Sequence, residues 1–136
     1  MDAFVQPLYE LADFDAIIRQ LKKSGIVQVS GCLDSQKAHF TNGLLREFPF
    51  RLIVAENDLK AKAFYEDFRL YDPEVLYYPA RDLIFYQADI HGNLLTRQRI
   101  QVLRALLERE EVTIVTSIDS CLDCLVPLDV WREKVI

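Results

Sequence analysis

Short runs of β-branched and aromatic residues alternate along this chain with longer stretches in which apolar residues recur at helical spacing. Strands that read as near-continuous apolar runs and are separated by helices favour a mostly parallel sheet covered on both faces. We therefore predict an α/β fold with a doubly wound, mostly parallel sheet and helices on both faces. The predicted strands are Ile26–Val29, Arg51–Ala55, Val75–Tyr78 and Val112–Thr116.

Four stretches between or before these strands have helical spacing. The first begins after Asp13, a candidate N-cap, and the second ends near Pro49 because proline disfavours helical geometry in the residue before it. The third runs from Asn57 or Asp58 to about Phe68. The fourth runs from about Leu94 to Arg109, with predicted inward residues Leu95, Ile100, Leu103, Leu106 and Leu107 and predicted outward residues Arg97, Arg99 and Arg104.

Length and composition indicate one soluble domain. The chain has 136 residues, of which 51% are hydrophobic, and no apolar stretch approaches the roughly 18 to 20 residues that a membrane span needs. Because the start of the sequence lacks the basic residues of a signal peptide, we expect a cytoplasmic protein with no membrane contact. The net charge of -5 gives no electrostatic reason to expect nucleic-acid binding by this chain alone.

The segment from Gly31 to Ala38 resembles a phosphate-binding loop, because it lies between a predicted strand and a predicted helix. Its spacing from Gly31 to Lys37 fits the P-loop pattern G-x-x-x-x-G-K-S/T. However, Gln36 replaces the second glycine and Ala38 replaces the hydroxyl that binds Mg²⁺. The sequence therefore predicts a degenerate nucleotide loop without catalytic residues, metal or cofactor. The alternative is a small P-loop nucleotide-binding enzyme that uses Lys37.

Several segments, in order and at their spacing, resemble the N-terminal UvrB-like module of bacterial transcription-repair coupling factors. The most specific is Tyr78–Tyr86 followed by Arg97–Leu107, and the resemblance covers roughly Leu11 to Ile136. The other segments that carry it are Ser30–Ala38, Arg51–Ala61, Glu66–Phe68 and Thr113–Leu122.

The resemblance implies a helicase-like, P-loop NTPase type subdomain over residues 1–127 that has lost its nucleotide chemistry. Residues 128–136 would be the start of the next subdomain, through which the family recruits the ATPase UvrA. The expected role is that of a non-catalytic scaffold in transcription-coupled nucleotide-excision repair, with inter-domain restraint. RNA polymerase and DNA would be contacted only by downstream domains of an ATP-dependent translocase. The span 87–96 is too short for the DNA-clamping hairpin of UvrB.

The remaining candidate residues favour structural roles. Cys121 and Cys124 form a C-x-x-C pair that suits a redox site or half a zinc site, but no second ligand pair exists, and Cys121 is predicted to lie in the core with Leu122 and Leu125. The lone histidines His39 and His91 lack partners at motif spacing, and the aromatic residues are predicted to lie in the hydrophobic core. The candidate interface residues are Arg81, Arg97, Arg99 and Arg104, since arginine pairs carboxylates and phosphates bidentately.

Overall fold

A computed structural model describes residues 3–23, 25–81, 89–125, 127 and 129–131, with the backbone alone for 89–93. A 3-10 helix at Gln6–Glu10 precedes the α-helices and strands. In chain order these are α1 (Phe14–Lys22), α2 (Asp34–Leu45), β1 (Phe50–Ala55), α3 (Asp58–Phe68), β2 (Leu76–Tyr78), α4 (Asp89–Glu108), β3 (Val112–Ser117) and α5 (Ile118–Cys121). None of the described helices is long and apolar enough to cross a membrane.

The described strands form one parallel sheet in the order β1-β3-β2. Ile114 in the central strand lies opposite Leu52 of β1 on one side and Leu76 of β2 on the other. Parallel neighbours require crossover connections, which α3 and α4 supply. The α/β class and the parallel sheet are therefore confirmed. The predicted strands at 51–55, 75–78 and 112–116 are also confirmed, and their ends differ from the observed ones by at most one residue.

The prediction of a strand at Ile26–Val29 is wrong. This run belongs to no helix or strand, Ile26 is 97% exposed, and Val27 borders a surface pocket with Ala16 and Gln20 of α1. Strand propensity expresses how well a residue fits a pleated, half-buried surface. Because this run is paired with no strand in the described part of the chain, its β-branched residues do not make it a strand.

The two faces of the sheet are covered by different helices. On one face, Val115 packs with Ala61 and Phe68 of α3, and on the other Ile114 packs with Val102 of α4. This division follows from strand geometry, in which successive side chains point to opposite faces. A third cluster joins Leu8, Phe14 and Ile18 to α2.

A glycine in α2 permits the third cluster to close. A Cβ on Gly43 would lie 2.4 Å from Leu8 Cδ1 and 2.9 Å from Phe14 Cζ, which is closer than carbon atoms pack. The absence of a side chain therefore lets Leu8 and Phe14 approach the helix backbone.

None of the described helices covers one face of β1. Phe50, Leu52 and Val54 alternate along the strand and are all exposed, whereas their partners in β3 are buried. Helix α4 packs mainly on β2 and β3, so this row of apolar side chains lies beside the helix and not under it. We call these three residues the β1 row.

Two predicted helix faces need correction. In α4 the buried residues are Arg99, Val102 and Ala105, while Ile100 and Leu106 are exposed, because the helix presents the 99-102-105 side to β2 and β3. Helix α4 also begins at Asp89, earlier than predicted. The second helix face is that of residues 118–125. Helix α5 ends at Cys121, and Cys121, Leu122 and Leu125 are exposed, so the predicted buried apolar face is wrong.

Candidate functional site: a closed loop and a buried arginine

The start of α2 takes up most of the predicted nucleotide loop. Gly31 has φ +86°, a left-handed conformation that favours glycine, and it turns the chain toward the helix. Helix α2 begins at Asp34, and the carbonyl of Leu33 accepts from the backbone N–H groups of Gln36 and Lys37 at 2.9 and 3.1 Å. The Gln36 side chain accepts in return from the Leu33 N–H at 3.3 Å. These amides and this amide side chain are therefore engaged with the chain itself.

Lys37 is paired within its own helix. Its Nζ donates to Asp34 Oδ1 at 2.5 Å, and both side chains are on the surface. This hydrogen bond, followed by the attraction between the charges, lowers the pKa of Asp34 and raises the pKa of Lys37. Both groups therefore carry their charges at neutral pH. The Asp34 carboxylate also stands at the helix N-terminus, where an anionic ligand would otherwise be favoured.

Ala38 faces away from the loop. It is 1% exposed and belongs to the same buried cluster as Ala61 and Val115, between α2, α3 and the sheet. A hydroxyl at this position would lie among apolar side chains and not beside a bound phosphate. The predicted strand before the loop is also absent, so the strand-loop-helix context expected from the sequence is wrong.

The four candidate interface arginines do not form one surface. Arg97 is exposed on α4, and Arg104 donates to Glu108 of the same helix at 2.8 Å, also on the surface. Arg81 and Arg99, in contrast, approach the same carboxylate oxygen, Asp123 Oδ2, at 3.9 and 2.8 Å. The structure therefore brings two of the four together and separates the other two.

Arg99 is a buried residue, which corrects its predicted exposure. It is 7% exposed, its Nη1 donates to the Pro79 carbonyl at 2.8 Å, and its guanidinium carbon lies 4.2 Å from the centre of the Tyr78 ring. Burial raises the pKa of the Tyr78 hydroxyl, and the nearby Arg99 charge opposes that shift. No local pattern connects Arg99 with Asp123, which lies inside the C-x-x-C pair of Cys121 and Cys124.

A second polar network lies at the other end of the sheet, among residues that no sequence motif connects. Arg51 donates from Nε to the Phe48 carbonyl at 2.6 Å and from Nη1 to Thr113 Oγ1 at 3.2 Å, and Thr113 donates to Asp72 at 2.7 Å. Arg51 Nη1 lies 3.7 Å from Asp72 Oδ2. This network ties the starts of β1 and β3 together.

The other candidate residues have the following places. Cys121 and Cys124 are exposed free thiols, and the described residues contain no group of three or more His, Cys, Asp or Glu that could hold a metal. His39 stacks on Tyr71, with ring centres 5.4 Å apart, and its Nε2 contacts the Phe4 carbonyl. The side chain of His91 lies outside the described residues.

The aromatic residues contribute to the core where they are described. Phe68, Tyr77 and Tyr78 are buried, and Phe64 and Tyr65 are partly buried against the cluster that contains Phe68 and Tyr77. Phe85 and Tyr86, at the end of the segment most specific to the resemblance, lie outside the described residues, as do Leu128 and residues 132–136 of the predicted next subdomain.

Comparison of the chain with models of protein families, with curated proteins and with solved structures finds no match.

Proposed function

We propose that this chain is a non-catalytic scaffold and interaction module, the helicase-like N-terminal subdomain of a bacterial transcription-repair coupling factor. In this role it adopts a P-loop NTPase type fold whose nucleotide chemistry is lost. It acts in the cytoplasm in transcription-coupled nucleotide-excision repair, where it supports the adjoining UvrA-recruiting subdomain and helps restrain the full-length protein. RNA polymerase and DNA are contacted by other domains.

The observation that carries this proposal is that the residues at the start of α2 are bonded to, or packed against, the rest of the chain. The groups that would hold a triphosphate are used internally: Lys37 by Asp34, Gln36 by the Leu33 backbone, and Ala38 by the core. A P-loop instead needs free backbone N–H groups around the phosphates, a free lysine and a hydroxyl on Mg²⁺. A small P-loop enzyme that uses Lys37 would first have to break the ion pair with Asp34. It would also need a phosphate site without a carboxylate beside it, and no contact of the described residues favours such a site.

The β1 row gives a second, weaker support. Phe50, Leu52 and Val54 expose apolar surface on an edge strand, a feature that in soluble proteins marks contact with another chain or domain. A scaffold that packs against neighbouring domains would use such a surface.

A repair assay with the whole polypeptide that carries this chain tests the proposal. Lys37→Ala should leave the rate of strand-specific repair unchanged, because the lysine serves only a surface ion pair. Phe68→Ala, which removes a buried side chain from the core of this subdomain, should reduce that rate. Severe loss of repair in Lys37→Ala at normal protein level would favour the nucleotide-binding enzyme. Full repair by a Phe68→Ala protein whose subdomain is shown to be unfolded would also contradict the scaffold role.

A further inference from the structure

Polar side chains gather where β2 and β3 end. Tyr78 is the last residue of β2, Arg81 follows it, and Asp123 lies just beyond α5, which follows β3 directly. Arg99 reaches this point from α4. Ligands of parallel α/β sheets bind outside the carboxyl ends of the strands, so these residues lie at the edge where a ligand is expected.

Two buried hydrogen-bond donors in this cluster have no partner among the residues that the structure describes. Arg99 Nη2 and the Tyr78 hydroxyl are both inaccessible to solvent and make no hydrogen bond, and the two residues are 7% and 8% exposed. Buried donors are nearly always paired, because an unpaired donor has lost its water without gaining a replacement. The cluster is therefore built to accept a group that brings acceptor oxygens.

Asp123 does not supply those oxygens. Its Oδ2 lies 2.8 Å from Arg99 Nη1, which already donates to the Pro79 carbonyl, and that oxygen has no hydrogen bond of its own. Among the described residues, one carboxylate thus stands against the two guanidinium groups of Arg81 and Arg99, and these three side chains carry a net charge of +1. The partly exposed Asp123 and the exposed Arg81 connect it with solvent.

We propose that Arg99, Tyr78 and Arg81 form a receptor for a carboxylate. The two oxygens of one carboxylate accept from Arg99 Nη2 and from the Tyr78 hydroxyl, and its single negative charge balances the excess positive charge. Arg81 at the rim adds attraction without burial. This inference does not depend on the proposed function, since it rests on a different part of the molecule.

Titration with sodium acetate at pH 7 and constant ionic strength tests the receptor, with the side-chain N–H signals of arginine followed by NMR. Acetate should shift the Arg99 signal saturably, with a Kd in the millimolar range. Tyr78→Phe keeps the ring under Arg99 and removes one donor, so binding should weaken about five- to tenfold. Arg81→Gln should weaken it as well and provides the test should Tyr78→Phe fail to fold. The matched control Arg104→Gln, on the same helix but paired with Glu108, should bind as the parent does.

Further probes separate the chemistry and its source. Acetamide at equal concentration should produce no saturable shift. If N-acetylglutamate amide binds more tightly than acetate, the source of the carboxylate is an acidic protein side chain. If acetate binds more tightly, the source is a free acid. Both results support the receptor. Equal shifts with chloride, equal binding of acetamide, or unchanged acetate affinity in a folded Tyr78→Phe or Arg81→Gln protein would overturn it.

Discussion

Replacing Phe68 by alanine should lower the free energy of unfolding by about 3 to 5 kcal/mol. The Phe68 side chain is 1% exposed and sits at the end of α3 in the cluster that joins this helix to the sheet through Tyr77 and Val115. Removing the ring loses the free energy gained when it is transferred from water to the core. It also leaves a cavity, because the closely packed surroundings relax only in part. Urea unfolding followed by far-ultraviolet circular dichroism measures the change.

Leu59→Ala provides the matched control for this experiment. Leu59 lies in the same helix and is 80% exposed, so its truncation should change the free energy of unfolding by no more than about 0.5 kcal/mol. A Phe68→Ala protein as stable as the Leu59→Ala protein would mean that α3 does not pack on the sheet as described.

Arg99→Met should destabilise the chain by about 3 kcal/mol. Methionine preserves much of the side-chain length, but the Pro79 carbonyl loses its donor, Asp123 loses its closest cation and the Tyr78 ring loses the guanidinium above it. Breaking this pair costs more than the pair contributes, because Asp123 is left with only the more distant and exposed Arg81, whose Nε lies 3.9 Å from Oδ2. Chemical unfolding at pH 7 measures the loss.

Two comparisons isolate the buried pair. Arg104→Met removes a surface arginine from the same helix, and its effect should stay below about 1 kcal/mol because exposed ion pairs contribute little. Adding Asp123→Asn to Arg99→Met should recover about 1 kcal/mol, since the carboxylate that has lost its closest cation is then removed. Equal effects of Arg99→Met and Arg104→Met would contradict the burial of Arg99.

The elements that could be predicted from the sequence are those whose local signals agree with their surroundings. The run at Val112–Thr116 is rich in β-branched residues, is buried on both faces and becomes the central strand, and Asn57 caps α3 by accepting from the Lys60 N–H at 2.9 Å. The run at Ile26–Val29 has equally strong strand propensity but lies outside the sheet. Propensity describes a residue's fit to a sheet and carries no information on whether a pairing partner is in reach.

The candidate site was harder to foresee, because its residues are set by tertiary packing. The substitutions at Gln36 and Ala38 indicated a disabled loop, but that Ala38 belongs to the core depends on how α2 lies against α3. Arg99 looked like a surface residue because charged side chains seldom lie inside a protein. Its burial depends on Asp123, a residue 24 positions away that no local pattern connects to it.

Isothermal titration of the chain with Mg-ATP shows whether the loop at the start of α2 binds a nucleotide. The parent should give no saturable heat up to several millimolar nucleotide, and neither should a Gln36→Gly/Ala38→Thr protein, because the new hydroxyl would lie in the core. A Lys37→Ala protein should be indistinguishable from the parent. Stoichiometric binding by the parent with a Kd below about 1 mM, about 4 kcal/mol of binding free energy, that Lys37→Ala abolishes would contradict the account.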